Sequence, residues 1–242
     1  MGEKRLNKAI SETGYCSRRG ADKLIEQGSV KINGVVAHLG DKVVETDEIS
    51  VDGQAITKKK GNIYLIFNKP RGITCTTDTN IRGNIITYID YPERIFPIGR
   101  LDKPSEGLIF MTNDGDIVNK ILRSGNQHQK EYIVKVDKKI TLEFIRKMSN
   151  GVPVLDTVSR RCEVTKINDI TFKIILTQGL NRQIRRMCNY LGYNVIRLKR
   201  VRIMNVSLGK LEIGKYRNFT KQEFEELSRL LETSSKTEEA SI

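Results

Sequence analysis

Apolar positions in the first 57 residues follow a helical period and then give way to short strands. Two short stretches carry apolar residues at helical spacing, namely Leu6, Ala9 and Ile10 and then Ala21, Leu24 and Ile25. Gly14 can end the first helix, Ser17 can cap the second and Gly28 can end it. Asn33-Gly34 and Asp52-Gly53 lie between short apolar runs and predict two tight hairpins. A small unit of two helices and short strands is therefore expected over residues 1–57.

A polar stretch over residues 58–62 has no hydrophobic period and is interpreted as a linker. Beyond it, apolar runs predict strands over 63–67, 95–98, 108–111, 130–136, 162–167 and 171–177. Helical spacing predicts helices over 117–122, 142–148 and 181–191, and the capping box of Thr220 and Glu223 predicts one more. A larger second domain is expected over 63–232, followed by a polar, disordered tail over 233–242.

Several side chains can be assigned to a face of these elements. The helix over 181–191 has a stripe predicted to be buried, formed by Ile184, Met187, Cys188 and Leu191. Three arginines remain for its flank and its near end, Arg182, Arg185 and Arg186. The last helix is expected to bury Phe224, Leu227, Leu230 and Leu231. Asp116 is expected to cap the helix over 117–122, and strand alternation places Tyr132, Val134 and Val136 on one face.

Charge indicates an anionic partner. The 242 residues are 38% hydrophobic and 29% charged, which is typical of a globular chain rather than a disordered one. There are 42 Lys and Arg against 29 Asp and Glu, a net charge of +13. No acidic residue occurs between Ile170 and Leu211. A block of one sign interleaved with apolar residues indicates a folded basic surface, and a phosphate backbone is its natural partner.

This sequence lacks the residues that several other classes of protein need. The sequence has four cysteines, Cys16, Cys75, Cys162 and Cys188. They form no Cys-x-x-Cys pair, so neither a zinc site nor a disulfide framework is predicted. A histidine-based metal site or triad would have to use His38 or His128. The charged start of the chain lacks the apolar core of a signal peptide, and no apolar run approaches membrane-spanning length. We expect a cytoplasmic protein with reduced thiols and no membrane partner.

Asp102 is the strongest candidate for chemistry. It lies between the apolar runs 95–98 and 108–111, on a turn that a ligand can reach. A carboxylate placed there can act as a nucleophile. The alternative, which is more common for an Asp beside Gly and Arg, is a turn residue whose side chain bonds its own backbone.

Four segments resemble the motifs of the RsuA/RluA-type RNA pseudouridine synthases. In chain order they are Asn68-Lys69-Pro70-Arg71-Gly72, then Gly99-Arg100-Leu101-Asp102 with Gly107 to Gly115, then Lys130-Glu131-Tyr132, and then Gly179 to Met187. The resemblance implies an α+β fold with a mixed, mainly antiparallel sheet flanked by helices. It also implies that a uridine in RNA is isomerised to pseudouridine, a reaction that needs neither a metal nor an organic cofactor.

The resemblance assigns roles to individual residues. Asp102 becomes the catalytic carboxylate and Arg185 its ion-pair partner, because a nearby guanidinium favours the ionised form of a carboxylate in a pocket. Tyr132 stacks on the target base, with Ile184 packed beneath it. Arg100 contacts the RNA while the base flips out of its stack. The remaining expected substrate-binding residues are Arg182, Arg186 and Lys69, the last as a support of the active-site floor.

The first 57 residues resemble the S4 RNA-binding domain. The segments that carry the resemblance are Arg5 to Lys8, Cys16 to Arg19 and Gly28 to Gly34. The resemblance implies that five basic side chains contact RNA phosphates, namely Lys8, Arg18, Arg19, Lys23 and Lys31. A solvated surface charge is the alternative interpretation of each one.

The segments 118–123, 130–132 and 202–208 look most like the RluF branch of the family. That branch modifies a uridine of large-subunit ribosomal RNA, so the resemblance implies a stem-loop of 23S rRNA as partner, with transfer RNA as a further candidate, and a monomeric enzyme. Glu106 departs from the family, which favours Thr-Ser or Thr-Gln in front of Gly107.

Three alternatives stay open. The first is an S4-containing RNA-binding or ribosome-assembly protein without catalysis, and the second is a synthase that acts on another rRNA or tRNA uridine. The third is a carboxylate hydrolase, which would need a second acid beside Asp102. Asp114 and Asp116 are the neighbouring acids, but helix capping explains them better.

Overall fold

The computed structural model describes residues 2–57, 61–122 and 127–232. Most of the predicted linker, residues 58–60, and the predicted tail, residues 233–242, lie outside the described residues. The chain forms two compact units. The smaller unit consists of Met1–Ile63 with the segments Tyr91–Ile95 and Asn113–Gly115, and the larger unit contains the rest.

The smaller unit has two helices and short strands, as its hydrophobic pattern predicts. In chain order the elements are β1 (Lys4–Arg5), α1 (Leu6–Glu12), α2 (Arg18–Glu26), β2 (Val30–Ile32), β3 (Val35–Val36), β4 (Lys42–Val43), β5 (Ile49–Val51) and β6 (Gln54–Ala55). The side chain of Ser17 caps α2 by accepting a hydrogen bond from the backbone N–H of Gly20 at 3.0 Å. Both hairpins are confirmed, because β2 pairs with β3 and β5 with β6 across the predicted dipeptides.

The turn dipeptides show why these hairpins form. Asn33, Gly34, Asp52 and Gly53 all have positive φ values, which a two-residue type I′ turn requires. The sheet β3-β2-β5-β6 turns one face toward the helices. The core between them is formed by Leu6, Ala9, Ile10, Ala21, Ile25, Val30, Ala37, Val43, Ile49 and Val51.

The larger unit is built on one nine-stranded sheet. The strands in this unit are β7 (Tyr64–Lys69), β8 (Phe96–Ile98), β9 (Glu106–Thr112), β10 (Lys130–Val136), β11 (Pro153–Val154), β12 (Thr157–Val158), β13 (Glu163–Asn168), β14 (Thr171–Leu176), β15 (Val195–Ile203), β16 (Val206–Ser207) and β17 (Tyr216–Asn218). Its helices are α3 (Ile85–Ile89), α4 (Gly115–Leu122), α5 (Leu142–Asn150), α6 (Gln183–Tyr190) and α7 (Lys221–Glu232). The strand order is β13-β14-β10-β15-β9-β7-β17, with β16 on β15 and β8 on β9.

The sheet topology confirms the predicted fold class. Among the strands of the described residues in this sheet, only β15 and β9 pair in parallel, and the other pairings are antiparallel. Phe144 and Met148 of α5 join Met187 of α6 in one core cluster against the sheet. Leu227 and Leu231 of α7 belong to a second cluster, which also contains Ile66 of β7. Helices therefore flank a mixed, mainly antiparallel sheet.

Some local predictions need correction. Helix α4 begins at Gly115, so Asp116 lies in its first turn and is not the residue before it. Leu230 is 41% exposed, because α7 turns only part of the predicted apolar set inward. Helix α3 and the hairpin β11–β12 had no hydrophobic period long enough to predict them. The capping box is confirmed, since Thr220 and Glu223 bond each other's backbone N–H groups at 3.1 and 2.9 Å.

Within residues 2–57, 61–122 and 127–232, no helix is long and apolar enough to cross a membrane. The same ranges contain no group of three or more His, Cys, Asp or Glu side chains that could hold a metal ion.

Candidate active site

A cavity of about 1220 Å³ lies in the larger unit. Its lining includes the segment before β9, parts of β10 and β15, the end of β14 and the start of α6. The predicted site residues that line it are Arg100, Asp102, Tyr132, Arg182, Ile184 and Arg185. Folding therefore brings together side chains from three of the four motifs.

Asp102 lies on the connection between β8 and β9, and backbone hydrogen bonds hold this connection in place. Its own carbonyl accepts from Ser105 N at 2.9 Å, and the carbonyl of Lys103 accepts from Gly72 N at 2.7 Å. The Asp102 side chain is 32% exposed. Within the described part of the chain, its carboxylate forms an ion pair with Arg185 and accepts no hydrogen bond from a backbone N–H. This geometry is unlike that of a carboxylate bonding its own turn.

Arg185 approaches Asp102 from α6. Its Nε lies 3.8 Å from Asp102 Oδ2, a distance for an ion pair rather than a direct hydrogen bond. The two terminal nitrogens are held elsewhere: Nη1 donates to Val195 O at 3.3 Å, and Nη2 donates to Pro104 O at 3.3 Å and to Ser105 Oγ at 3.1 Å. Burial lowers the pKa of Arg185, and the nearby Asp102 opposes that shift. The guanidinium is therefore fixed beside the carboxylate as its ion-pair partner.

Apolar side chains form the walls of the cavity beside this ion pair. Tyr132 on β10 is 9% exposed, and Ile184 on α6 is 5% exposed. Leu176 at the end of β14 and Leu198 on β15 belong to the same apolar cluster and also line the cavity. A ring and aliphatic side chains at one cavity suit the flat faces of a nucleobase.

Two predicted substrate-binding residues lie outside the cavity lining. Lys69 at the end of β7 is fully buried, and its ammonium donates to Pro70 O at 2.9 Å and Ser105 O at 2.8 Å. Burial lowers the pKa of Lys69, while nearby acidic groups, Asp102 among them, oppose the shift. Arg186 is exposed and donates to Asn181 O at 3.1 Å. Lys69 therefore braces the segment behind Asp102 and has no face toward a substrate.

The sequence analysis missed two buried cations that line the cavity. Lys130 begins β10 and faces the same way as Tyr132, and this placement follows from the alternation of that strand. Arg200 lies opposite Tyr132 on β15, and only the strand register reveals it. Burial, with Arg200 as a second cause, lowers the pKa of Lys130 to about 8.

Glu106, which departs from the family pattern, has a structural partner. Its side chain is 5% exposed and lies at the parallel pairing of β9 with β15. Arg197 of β15 contacts its Oε1 through Nη2 at 2.6 Å and Nε at 2.7 Å. Glu106 therefore ties β9 to β15, the strand that lines the cavity.

The five basic residues predicted to bind RNA in the smaller unit lie on three of its elements. Arg18, Arg19 and Lys23 are exposed on α2. Lys8 is half-buried on α1, with its ammonium 3.6 Å from Glu12. Lys31 lies on the outward face of β2, because its neighbour Val30 is buried against the helices.

Comparison with known families agrees with this geometry. A family model described as RNA pseudouridylate synthase matches residues 63–190, which is more than half of the chain, and a model described as S4 domain matches residues 4–49. The chain therefore belongs to the RNA pseudouridine synthase family and carries an S4 domain, as its motifs predict. Its activity is the isomerisation of uridine in RNA.

Individual relatives narrow the comparison to one branch. The dual-specificity RNA pseudouridine synthase RluF of Salmonella typhi is 55% identical over 233 residues, covering 96% of this chain and 81% of that protein. Its counterpart in Escherichia coli (strain K12) is 54% identical over 96% of this chain and 80% of that protein. The ribosomal large subunit pseudouridine synthase B of Bacillus subtilis (strain 168) is 34% identical over 93% of this chain and 96% of that protein. The predicted resemblance to the RluF branch is confirmed.

The fold comparison is consistent with this family. A crystal structure of a pseudouridylate synthase superposes with a TM-score of 0.69 at 29% identity, covering 92% of this chain and 99% of that one. The match spans both family regions, so the alternatives of a non-catalytic binding protein and of a hydrolase lose their support.

Proposed function

We propose that this enzyme converts a uridine in a stem-loop of 23S ribosomal RNA to pseudouridine, with Asp102 as its catalytic carboxylate. The observation that carries the proposal is the Asp102 carboxylate in a cavity with apolar walls, 3.8 Å from a fixed guanidinium. Asp102 forms a transient bond to the substrate, either at C1′ of the ribose or at C6 of the uracil ring. At C1′ the bond to N1 breaks as the bond to Asp102 forms, and at C6 it breaks afterwards. The base then turns, C5 joins C1′, and the carboxylate is released.

Three neighbouring residues have separate parts in this proposal. Tyr132 stacks on the flipped uracil and Ile184 packs under it, which fixes the ring while its bond to the ribose changes. Arg185 forms the ion pair with Asp102 and holds the carboxylate in place inside the cavity. The target nucleotide must leave its stack at a cost of a few kcal/mol. Arg100 and Arg182, both exposed at the cavity, contact the RNA around the flipped nucleotide.

The S4 unit binds the same RNA. Phosphate contacts come from the three exposed cations of α2, Arg18, Arg19 and Lys23. Weaker contacts come from Lys8, which is half-buried beside Glu12, and from Lys31, which lies on β2. Such contacts give an affinity that falls steeply with salt. Arg186, outside the cavity lining, adds a similar contact on the larger unit. We propose a monomer as the working form, with residues 1–57 as S4 domain and 63–232 as catalytic domain.

The proposed substrate rests on two kinds of relative. The RluF relatives are named dual-specificity RNA pseudouridine synthases. The Bacillus subtilis relative is named a ribosomal large subunit pseudouridine synthase. Large-subunit rRNA is therefore the first substrate to test, and a transfer RNA is the second.

The experiment compares Asp102→Asn with Asp90→Asn. Asp90 is an exposed residue at the end of α3, outside the cavity lining, and its left-handed backbone suits Asn. Asp102→Asn is expected to bind a 23S rRNA fragment with unchanged affinity and to form no pseudouridine, whereas Asp90→Asn acts like the wild type. Pseudouridine formation by Asp102→Asn at the wild-type rate would refute the role of Asp102.

Mapping of pseudouridines identifies the substrate. RNA from cells that lack the protein is compared with RNA from cells that carry the wild type or Asp102→Asn. The proposal expects one 23S rRNA site to lose its pseudouridine and to regain it only with the wild type. Loss confined to transfer RNA, or to another rRNA, would overturn the 23S assignment while leaving the isomerase activity intact.

The hydroxyl of Tyr132 is tested separately. We propose that it assists removal of the C5 proton after the new carbon–carbon bond has formed, and stacking needs only the ring. Tyr132→Phe is then expected to bind RNA normally and to accumulate a product that is slow to lose its C5 proton. Equal rates of tritium release from C5-labelled uridine in both proteins would argue against this role.

A further inference from the structure

Two buried cations line the cavity and have no part in the roles proposed for Asp102, Tyr132 and Arg185. Lys130 is 9% exposed and Arg200 is 4% exposed, and both line the cavity together with Tyr132. Lys130 precedes Tyr132 by two positions on the same face of β10, and Arg200 is the cross-strand neighbour of Tyr132 on β15. The base that stacks on Tyr132 therefore lies beside both.

Neither cation has an acidic partner in the described part of the chain. Lys130 Nζ donates to the carbonyl of His128 at 3.3 Å, and Arg200 Nε donates to the carbonyl of Leu108 at 2.7 Å. Among the described residues, no carboxylate forms an ion pair with either one, and Glu106 is occupied by Arg197. Arg200 Nη2 is buried without a hydrogen-bond acceptor. Burying two positive charges without a counter-ion is costly, so such a pair favours an anionic ligand.

A third donor lies in the same lining. Gln178, which follows β14, is 8% exposed, and its Nε2 is buried without an acceptor. Two buried donor atoms without acceptors among the described residues, Arg200 Nη2 and Gln178 Nε2, therefore accompany apolar walls formed by Tyr132 and Leu198. Apolar walls suit a flat ring rather than a tetrahedral phosphate.

We propose that Lys130 and Arg200 bind the uracil, once detached from the ribose, as an anion through its two carbonyl oxygens. This inference rests on the proposed function in the form in which Asp102 bonds C1′. When the bond from C1′ to N1 breaks, its electron pair stays on the base, and the negative charge spreads over N1, O2 and O4. Charge that appears only during the reaction is stabilised best by fixed donors in a site that excludes water.

The proposed steps balance in electrons and need no oxidant or reductant. C1′, left short of a pair, is held by the Asp102 carboxylate, and C5 of the anion then supplies the pair that forms the new bond to C1′. The carboxylate leaves, C5 loses its proton to a base, and N1 gains one from water. Lys130 stays protonated throughout and donates hydrogen bonds only. The two cations also keep the free base in the cavity while it turns.

Lys130→Met tests the proposal, with Lys135→Met as the matched control. Lys135 is an exposed lysine on the opposite face of the same strand, so its loss removes an equal charge outside the cavity. The assay measures tritium release from C5-labelled uridine in a 23S rRNA fragment under single turnover, together with the Kd for that fragment. Lys130→Met is expected to slow release by about 10²-fold with Kd changed less than threefold. Lys135→Met is expected to act like the wild type.

Lys130→Arg allows a second measurement, the pH dependence of the rate, which would not change if Lys130 had only a structural role. Arg stays charged at high pH, whereas Lys130, flanked by Arg200 and by His128, loses its proton near pH 8. At low RNA concentration, the wild-type rate is expected to fall above about pH 8, and the rate of Lys130→Arg to hold to higher pH. Arg200→Lys is expected to keep more activity than Arg200→Met.

The outcomes are distinguishable. If the wild type forms no pseudouridine in the 23S fragment, the proposed function fails. If the wild type is active and Lys130→Met matches it, or loses only RNA affinity, the role of the cations is overturned. If Lys130→Met does not fold, the pH profiles decide, and identical profiles for Lys130→Arg and the wild type refute the proposal.

Discussion

Replacement of Gly107 by Ala tests the close approach of β9 and β15 that places Arg200 in the cavity. Gly107 has a φ of +108°, and a Cβ built on it would overlap the backbone carbonyl oxygen of Arg200 and lie 2.7 Å from Arg200 N. The positive φ costs about 1–2 kcal/mol for any other residue. Overpacking against backbone adds about 1–3 kcal/mol. We expect Gly107→Ala to lower the free energy of unfolding by about 2–5 kcal/mol in total.

Two further glycines separate these costs. Gly209 has a φ of +55° and no atom within 4 Å of a built Cβ, so Gly209→Ala incurs only the backbone cost of about 1 kcal/mol. Gly115, at the start of α4, has neither feature, and Gly115→Ala is expected to be neutral or slightly stabilising. Urea unfolding is followed by tyrosine fluorescence, because the chain has eight Tyr and no Trp and most of the Tyr lie in the larger unit.

Activity gives the second measurement on Gly107→Ala. Separation of β9 from β15 moves the Arg200 backbone, and Tyr132 is its cross-strand neighbour. The variant that remains folded is therefore expected to lose pseudouridine formation as well as stability. If Gly107→Ala is no less stable than Gly209→Ala and keeps full activity, the close approach does not position the cavity floor.

Three other outcomes follow from single contacts. Ser17→Ala removes the cap on Gly20 N and is expected to cost about 1 kcal/mol in thermal unfolding, with Ser17→Asn restoring most of it. Glu106→Gln removes the charge that binds Arg197 and is expected to cost about 1–3 kcal/mol in urea, and an unchanged midpoint would contradict this. Burial raises the pKa of Cys188 to about 12, so iodoacetamide at pH 8 should alkylate Cys188 far more slowly in the native than in the unfolded protein. Because the unfolded thiol ionises near pH 8.5, this group contributes a loss of stability as the pH rises above that value.

Local elements were predictable because their causes lie within a few residues. The cap at Ser17, the hairpin turn at Asn33-Gly34 and the capping box at Thr220 all appear in the structure as their residue types require. Short elements without such signals, including α3 and the hairpin β11–β12, were not predictable. A five-residue helix and two-residue strands are too short to establish a hydrophobic period.

The candidate site was predictable as a set of residues but not as a geometry. Asp102, Tyr132 and Arg185 came from motifs, and the structure brings them to one cavity. Lys69 came from a motif as well, yet burial turns it toward two backbone carbonyls and away from any substrate. A motif specifies which side chain is present, whereas packing determines which way it faces.

The sequence by itself determined the α+β composition, the turns and caps, the basic character and the motif residues of a pseudouridine synthase, because each depends on residue type and near neighbours. Only the tertiary structure decided that Arg200 lies beside Tyr132, that Gly107 must lack a side chain, and that Glu106 is paired with Arg197. These contacts join strands that are distant in the chain. Their register depends on how the whole sheet packs, and no local pattern records it.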